Sequence, residues 1–121
     1  MNTLERMATW AAELSATDVP AEVLSLCRAQ RRSVIASIYA STSDEAARRV
    51  VGAVAAGASI GPAPIPGRDA RVRVEDALLA SSALSIALDF DDYLCFGHTG
   101  HSAVLVPMML AAETGATLTA P

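Results

Sequence analysis

Three carboxylates and two imidazoles fall within thirteen residues, from Asp89 through Asp91, Asp92 and His98 to His101. The rest of the chain is poor in such groups, with 52% hydrophobic and 18% charged residues overall, so this segment is where chemistry could concentrate. Three arrangements can be built from it. In one, the five side chains line a polar pocket between the end of one helix and the start of the next. Backbone N–H groups and a cationic histidine would bind a carboxylate there, and histidine would double as acid or base near neutral pH. In another, His98 and His101 supply nitrogen ligands and the aspartates oxygen ligands to a divalent metal. In the third, the aspartates cap helices and the histidines hydrogen-bond within a loop, with no ligand at all. Spacing alone does not choose among them.

The elements that must hold this segment read as helices. Leu4, Met7, Ala8, Ala11 and Leu14 follow helical spacing, with Thr3 as N-cap. Thr17, Asp18, Pro20 and Glu22 open a second helix that runs to about Tyr39, with Val23, Leu26, Cys27, Val34, Ile35 and Ile38 on its apolar side and Arg28, Arg31 and Arg32 as a basic stripe. Thr42 and Glu45 have capping-box spacing for a third helix, in which Ala46, Ala47, Val50, Val51 and Val54 repeat until Gly57. Three prolines and two glycines between Gly61 and Gly67 predict an extended loop over 58–73. A fourth helix starts at Val74 and carries Leu78, Leu79, Ala83, Ile86, Ala87 and Phe90; its small residues Ala80, Ser81, Ser82 and Ser85 place it near the centre of the domain. The last helix runs from near Ser102 to Gly115, with Pro107 early in it or kinking it. The fold class expected is all-α, with about five helices in one domain.

Composition narrows the function. A net charge of −4 and a pI near 5.0 give no footprint for nucleic acid. The longest apolar runs, such as 103–110, are well short of a membrane span, and no signal peptide opens the chain, so a cytoplasmic location is expected. Cys27 and Cys95 stand in no metal-ligand spacing and read as buried small hydrophobes. All nine basic residues are arginines, so no lysine is present to act as base or anchor. The high apolar fraction predicts a surface that pairs with another chain.

The run Ala87-Leu-Asp-Phe-Asp-Asp-Tyr93, the histidine-containing loop after it, and Ser102-Ala-Val-Leu-Val-Pro-Met-Met-Leu-Ala-Ala-Glu-Thr-Gly115 resemble the signature of the MmgE/PrpD family. The opening helices and Val19-Pro-Ala-Glu-Val23 are similar to that family too, so the resemblance spans nearly the whole chain. It implies the N-terminal part of a helical domain in a lyase or isomerase for small polycarboxylates, such as a 2-methylcitrate dehydratase, cis-aconitate decarboxylase or iminodisuccinate epimerase. By resemblance Asp89 matches an active-site aspartate, and His101, directly before Ser-Ala-Val, matches the active-site histidine better than its rival His98. Asp92, Tyr93 and His98 would contact substrate, Tyr93 standing where relatives often have threonine. Members of the family are several times longer, and a lysine, another histidine and a tyrosine follow the stretch represented here. The resemblance therefore implies an enzyme component inactive alone, working as a homo-oligomer or with a complementing C-terminal chain, with no metal and no cofactor.

Overall fold

A computed structural model of the chain describes residues 1–90, 92–94 and 97–116. Among them are five α-helices: α1 (Thr3–Glu13), α2 (Ala21–Ser41), α3 (Glu45–Gly57), α4 (Val74–Ile86) and α5 (Val106–Thr114). Two short antiparallel hairpins interrupt the helices, β1 (Ile60–Pro64) with β2 (Arg71–Val72), and β3 (Tyr93–Leu94) with β4 (Gly97–His98). The fold is therefore mostly helical but not strictly all-α.

The correction falls mainly on residues 58–73, which form a hairpin rather than an extended loop. Ile60 and Ala63 both face Val72 across a bulge, and Pro64 faces Arg71. Pro62 and Pro64 lack N–H donors, yet a two-stranded ladder consists only of edge strands, where a missing donor is tolerated. Ala63 and Ile65 turn into the core. Gly61 permits the close pairing, because a Cβ there would lie 2.5 Å from the Val72 carbonyl oxygen.

Helix starts use local hydrogen bonds that the spacing left ambiguous. Asn2, not Thr3, caps α1: its Oδ1 accepts from the Glu5 N–H at 2.9 Å, and the Glu5 carboxylate accepts from the Asn2 N–H at 2.7 Å. Asp44, not Thr42, caps α3, accepting from the Ala47 N–H at 2.8 Å. Thr42 instead donates its hydroxyl to the Tyr39 carbonyl at the end of α2. At the start of α4, hydrogen bonds from its own backbone N–H and from the Arg73 guanidinium hold the exposed Glu75 carboxyl below the usual range. A π-helical turn, His101–Leu105, precedes α5 and places Pro107 in the first turn of that helix. The wider turn accommodates a residue that can donate no backbone hydrogen bond.

The core gathers around α4, which packs against α2, α3, α5 and the first hairpin. Ala77, Ala80, Ser81, Leu84 and Ser85 are almost fully buried on it. Val34 and Ile38 come from α2, Ala47 and Val51 from α3, and Leu105 and Met109 from the C-terminal helical segment. Helix α4 ends at Ile86, short of Phe90, and Leu79, Ile86 and Phe90 face outward.

The N-terminal end departs most from the expected core. No residue of α1 is buried, and its apolar stripe is open, with Leu4 77% and Trp10 64% exposed. On α2, Val23 and Leu26 are exposed, and Cys27 is a free, exposed thiol rather than a buried hydrophobe. Among the described residues no element packs broadly against α1. Cys95 lies outside the described residues. Among the described residues no helix is long and apolar enough to cross a membrane.

Leu84, at 1% exposure, should be the most sensitive large side chain of the core. Leu84→Ala is expected to lower unfolding stability by about 2–5 kcal/mol, whereas Leu79→Ala on the outer face should change it by less than about 1 kcal/mol. Urea denaturation of the two variants measures both.

Candidate functional site

The site begins where α4 stops. The Ala87 N–H donates to the Leu84 carbonyl, and the Asp89 N–H donates to the Ile86 carbonyl at 3.1 Å, which tightens the last turn. Asp89 then takes a φ of +55°, the left-handed region. Aspartate is among the few residues that visit it at modest strain. The reversal ends the helix and leaves the Asp89 side chain 85% exposed at its C-terminal end.

The second hairpin brings an imidazole back to that carboxylate. Tyr93 pairs with His98 across β3 and β4, and the two rings meet edge to face with centroids 5.3 Å apart. His98 Nε2 lies 3.5 Å from Asp89 Oδ1, and the His98 side chain is mostly covered. A carboxylate at that distance can orient the imidazole, which is the arrangement a general acid or base requires.

Asp92 sits one step deeper. Thr99 Oγ1 donates to Asp92 Oδ2, while Asp92 Oδ1 is buried and has no hydrogen-bond partner among the described residues. Gly100 makes this placement possible, since a Cβ there would collide with Asp92 Oδ1 and lie 2.6 Å from the Val34 methyl on α2. His101 opens the π-helical turn, and its Nδ1 is likewise buried without a partner among the described residues. Buried polar atoms are ordinarily hydrogen-bonded. Asp92 and His101 thus each present a polar atom able to take a partner from a ligand or a further chain.

The structure therefore joins Asp89, Tyr93 and His98 in one contact group and Asp92, Thr99 and Gly100 in a second. It sets His101 at the head of the following helix rather than against Asp89. Asp91 lies outside the described residues. Thr99 and Gly100 were not among the residues singled out from the sequence; their position between two histidines was the available signal. Among the described residues, no three of His, Cys, Asp and Glu are grouped so as to hold a metal ion.

The family model of the MmgE/PrpD N-terminal domain matches residues 5–117, and so takes in every residue of this site. The chain belongs to the MmgE/PrpD family. No curated protein and no solved structure matches it. Within the MmgE/PrpD N-terminal domain, Asp89 and His98 of this chain are brought together by the end of α4 and one small hairpin.

Two substitutions separate what serves the fold from what does not. Asp89→Gly removes the carboxylate and relieves the positive φ, so stability should stay level or rise by up to about 1 kcal/mol. Gly100→Ala should lower stability by about 1–3 kcal/mol, the usual cost of overpacking. Gly97→Ala, where a Cβ meets nothing within 4 Å, is the matched control and should change little. Thermal unfolding of the three variants checks the order.

Proposed function

We propose that this chain supplies the N-terminal part of an MmgE/PrpD-type lyase or isomerase acting on a small polycarboxylate, of the 2-methylcitrate dehydratase or cis-aconitate decarboxylase type. The observation that carries the reading is the Asp89 carboxylate beside the His98 imidazole, within the stretch the family model matches. Dehydration, decarboxylation and epimerisation of such substrates all move a proton or carbon dioxide at a carbon next to a carboxylate. Each needs a positioned acid or base, and Asp89 with a histidine has those groups. His98 is the imidazole in contact with Asp89; His101 is the one whose sequence setting matches the family. Asp92, Tyr93 and His98 would face the substrate.

The same steps build negative charge that must be met by preorganised donors or cations. Asp89 and Asp92 add negative charge of their own, and the chain has no lysine. No arginine lies among the residues of the site, so a working site would draw cationic groups from a second copy of the chain, whose cations are arginines, or from a complementing polypeptide.

A second reading is a non-catalytic helical module that serves oligomerisation or regulation. The open apolar stripe of α1 favours it, because an isolated helix of 11 residues is marginal in water without a surface to pack on.

The test is turnover of 2-methylcitrate, cis-aconitate and iminodisuccinate by the chain together with the polypeptide carrying the later family groups. Turnover of one substrate is expected, with Asp89→Asn and at least one of His98→Asn and His101→Asn lowering kcat by about 100-fold or more. No turnover of any of the three would contradict the enzyme reading. Native assembly unchanged by Asp89→Ala and His101→Ala would then favour the module.

A further inference from the structure

A second group of charged side chains, sharing no residue with the site above, lies where the first hairpin turns back over α3. The turn after β1 is closed by the Arg68 N–H donating to the Ile65 carbonyl at 3.2 Å, and it passes through Gly67 at φ +74°. Ile65 is anchored in the core at 1% exposure, so the turn is held at its base. A Cβ on Gly67 would also come 3.1 Å from the Thr42 methyl, which fixes how closely the turn can lie against the end of α2.

This path lays Arg68 across α3. Its Nη2 is 3.3 Å from where a Cβ on Gly52 would stand, so the guanidinium rests against the helix at Gly52. Arg48 is four residues earlier on α3, on the same face and about one helical turn away. The two arginines border a cavity of about 250 Å³ whose inner side includes Val51 and Leu84.

Neither guanidinium is in an ion pair among the described residues. On α3, Glu45 is paired with Arg49 at 2.5 Å, and the N-cap Asp44 accepts from the Ala47 N–H. Both arginines are exposed, yet they border one cavity with a partly apolar floor, so together they give it a positive potential that a bound anion would meet. Arginine suits the purpose because its planar fork matches the paired oxygens of carboxylate and phosphate. The cavity is below the usual range of drug-sized ligand sites, which points to a compact ligand.

We propose that the cavity between α3 and the turn after β1 binds a small oxyanion, carboxylate or phosphate, through Arg48 and Arg68. This site is independent of the Asp89 site and of the activity proposed there.

The test is a ¹⁵N–¹H NMR titration of the native protein with inorganic phosphate and, separately, with succinate, at ionic strength held constant with sodium chloride. Saturable shifts are expected at the Gly52 and Gly67 amides and at the Arg48 and Arg68 Nε–H groups. Saturation by one anion alone identifies whether the ligand is a phosphate or a carboxylate. Arg48→Gln and Arg68→Gln should each weaken binding by roughly tenfold or more, while Arg49→Gln, whose partner is Glu45, should leave it unchanged. Linear shifts without saturation for both anions, or equal saturation in the Arg48→Gln and Arg68→Gln variants, would overturn the proposal.

Discussion

The close approach of neighbours to α4 is the constraint on which the rest of the structure depends. Its inner face is made of alanine and serine with Val74 and Leu84, and the small side chains let α2, α3, α5 and the first hairpin all reach the same helix. Two of the buried serines satisfy their hydroxyls within their own helices, while the buried Ser81 Oγ has no partner among the described residues. Ser85 Oγ donates to the Ser82 carbonyl at 2.9 Å, and on the facing helix Ser37 Oγ donates to the Ser33 carbonyl at 3.0 Å. A bulky residue in their place would force the layers apart, since packed interiors respond to single methylene groups.

The candidate site inherits its position from that packing. The end of α4 determines where Asp89 emerges, and the left-handed turn at Asp89 determines that the next segment folds back as a hairpin instead of continuing away. Val34, fully buried on α2, forms part of the wall against which Gly100 and Asp92 settle. The same helix thus serves the core through its inner face and positions the candidate site through its C-terminal end. The Asp89 backbone is the one non-glycine positive φ among the described residues, and it falls at the carboxylate beside His98.

Much of this was legible in the sequence, and the misses share a cause. Helical spacing located all five helices, and the small residues of 80–85 marked the central one, because periodicity and side-chain size report directly on helix faces. What periodicity does not report is whether anything covers a face. Leu4 and Met7 on α1, Leu14 at its C-cap, and Val23 and Leu26 on α2 have the spacing of core positions and are exposed. The hairpin over residues 60–72 was hidden by its prolines, which argue against a strand unless both strands are edges. Caps were displaced by a residue or two because Thr42, Ser43 and Asp44 all carry a suitable oxygen. At the site, the sequence brought the aspartates and histidines to notice. The His98 to Asp89 contact depends on hairpin register and a positive φ, which spacing does not encode.

Native-state hydrogen exchange resolved by residue tests most directly the claim that α4 organises the fold. The amides of residues 77–85 should be the slowest to exchange, at the rate of global unfolding, together with the facing turns of α2 and α3. If the α4 amides instead exchanged ahead of those of α2 and α3, the helix would be a late and dispensable addition to the core, and the dependence of the Asp89 site on it would be contradicted.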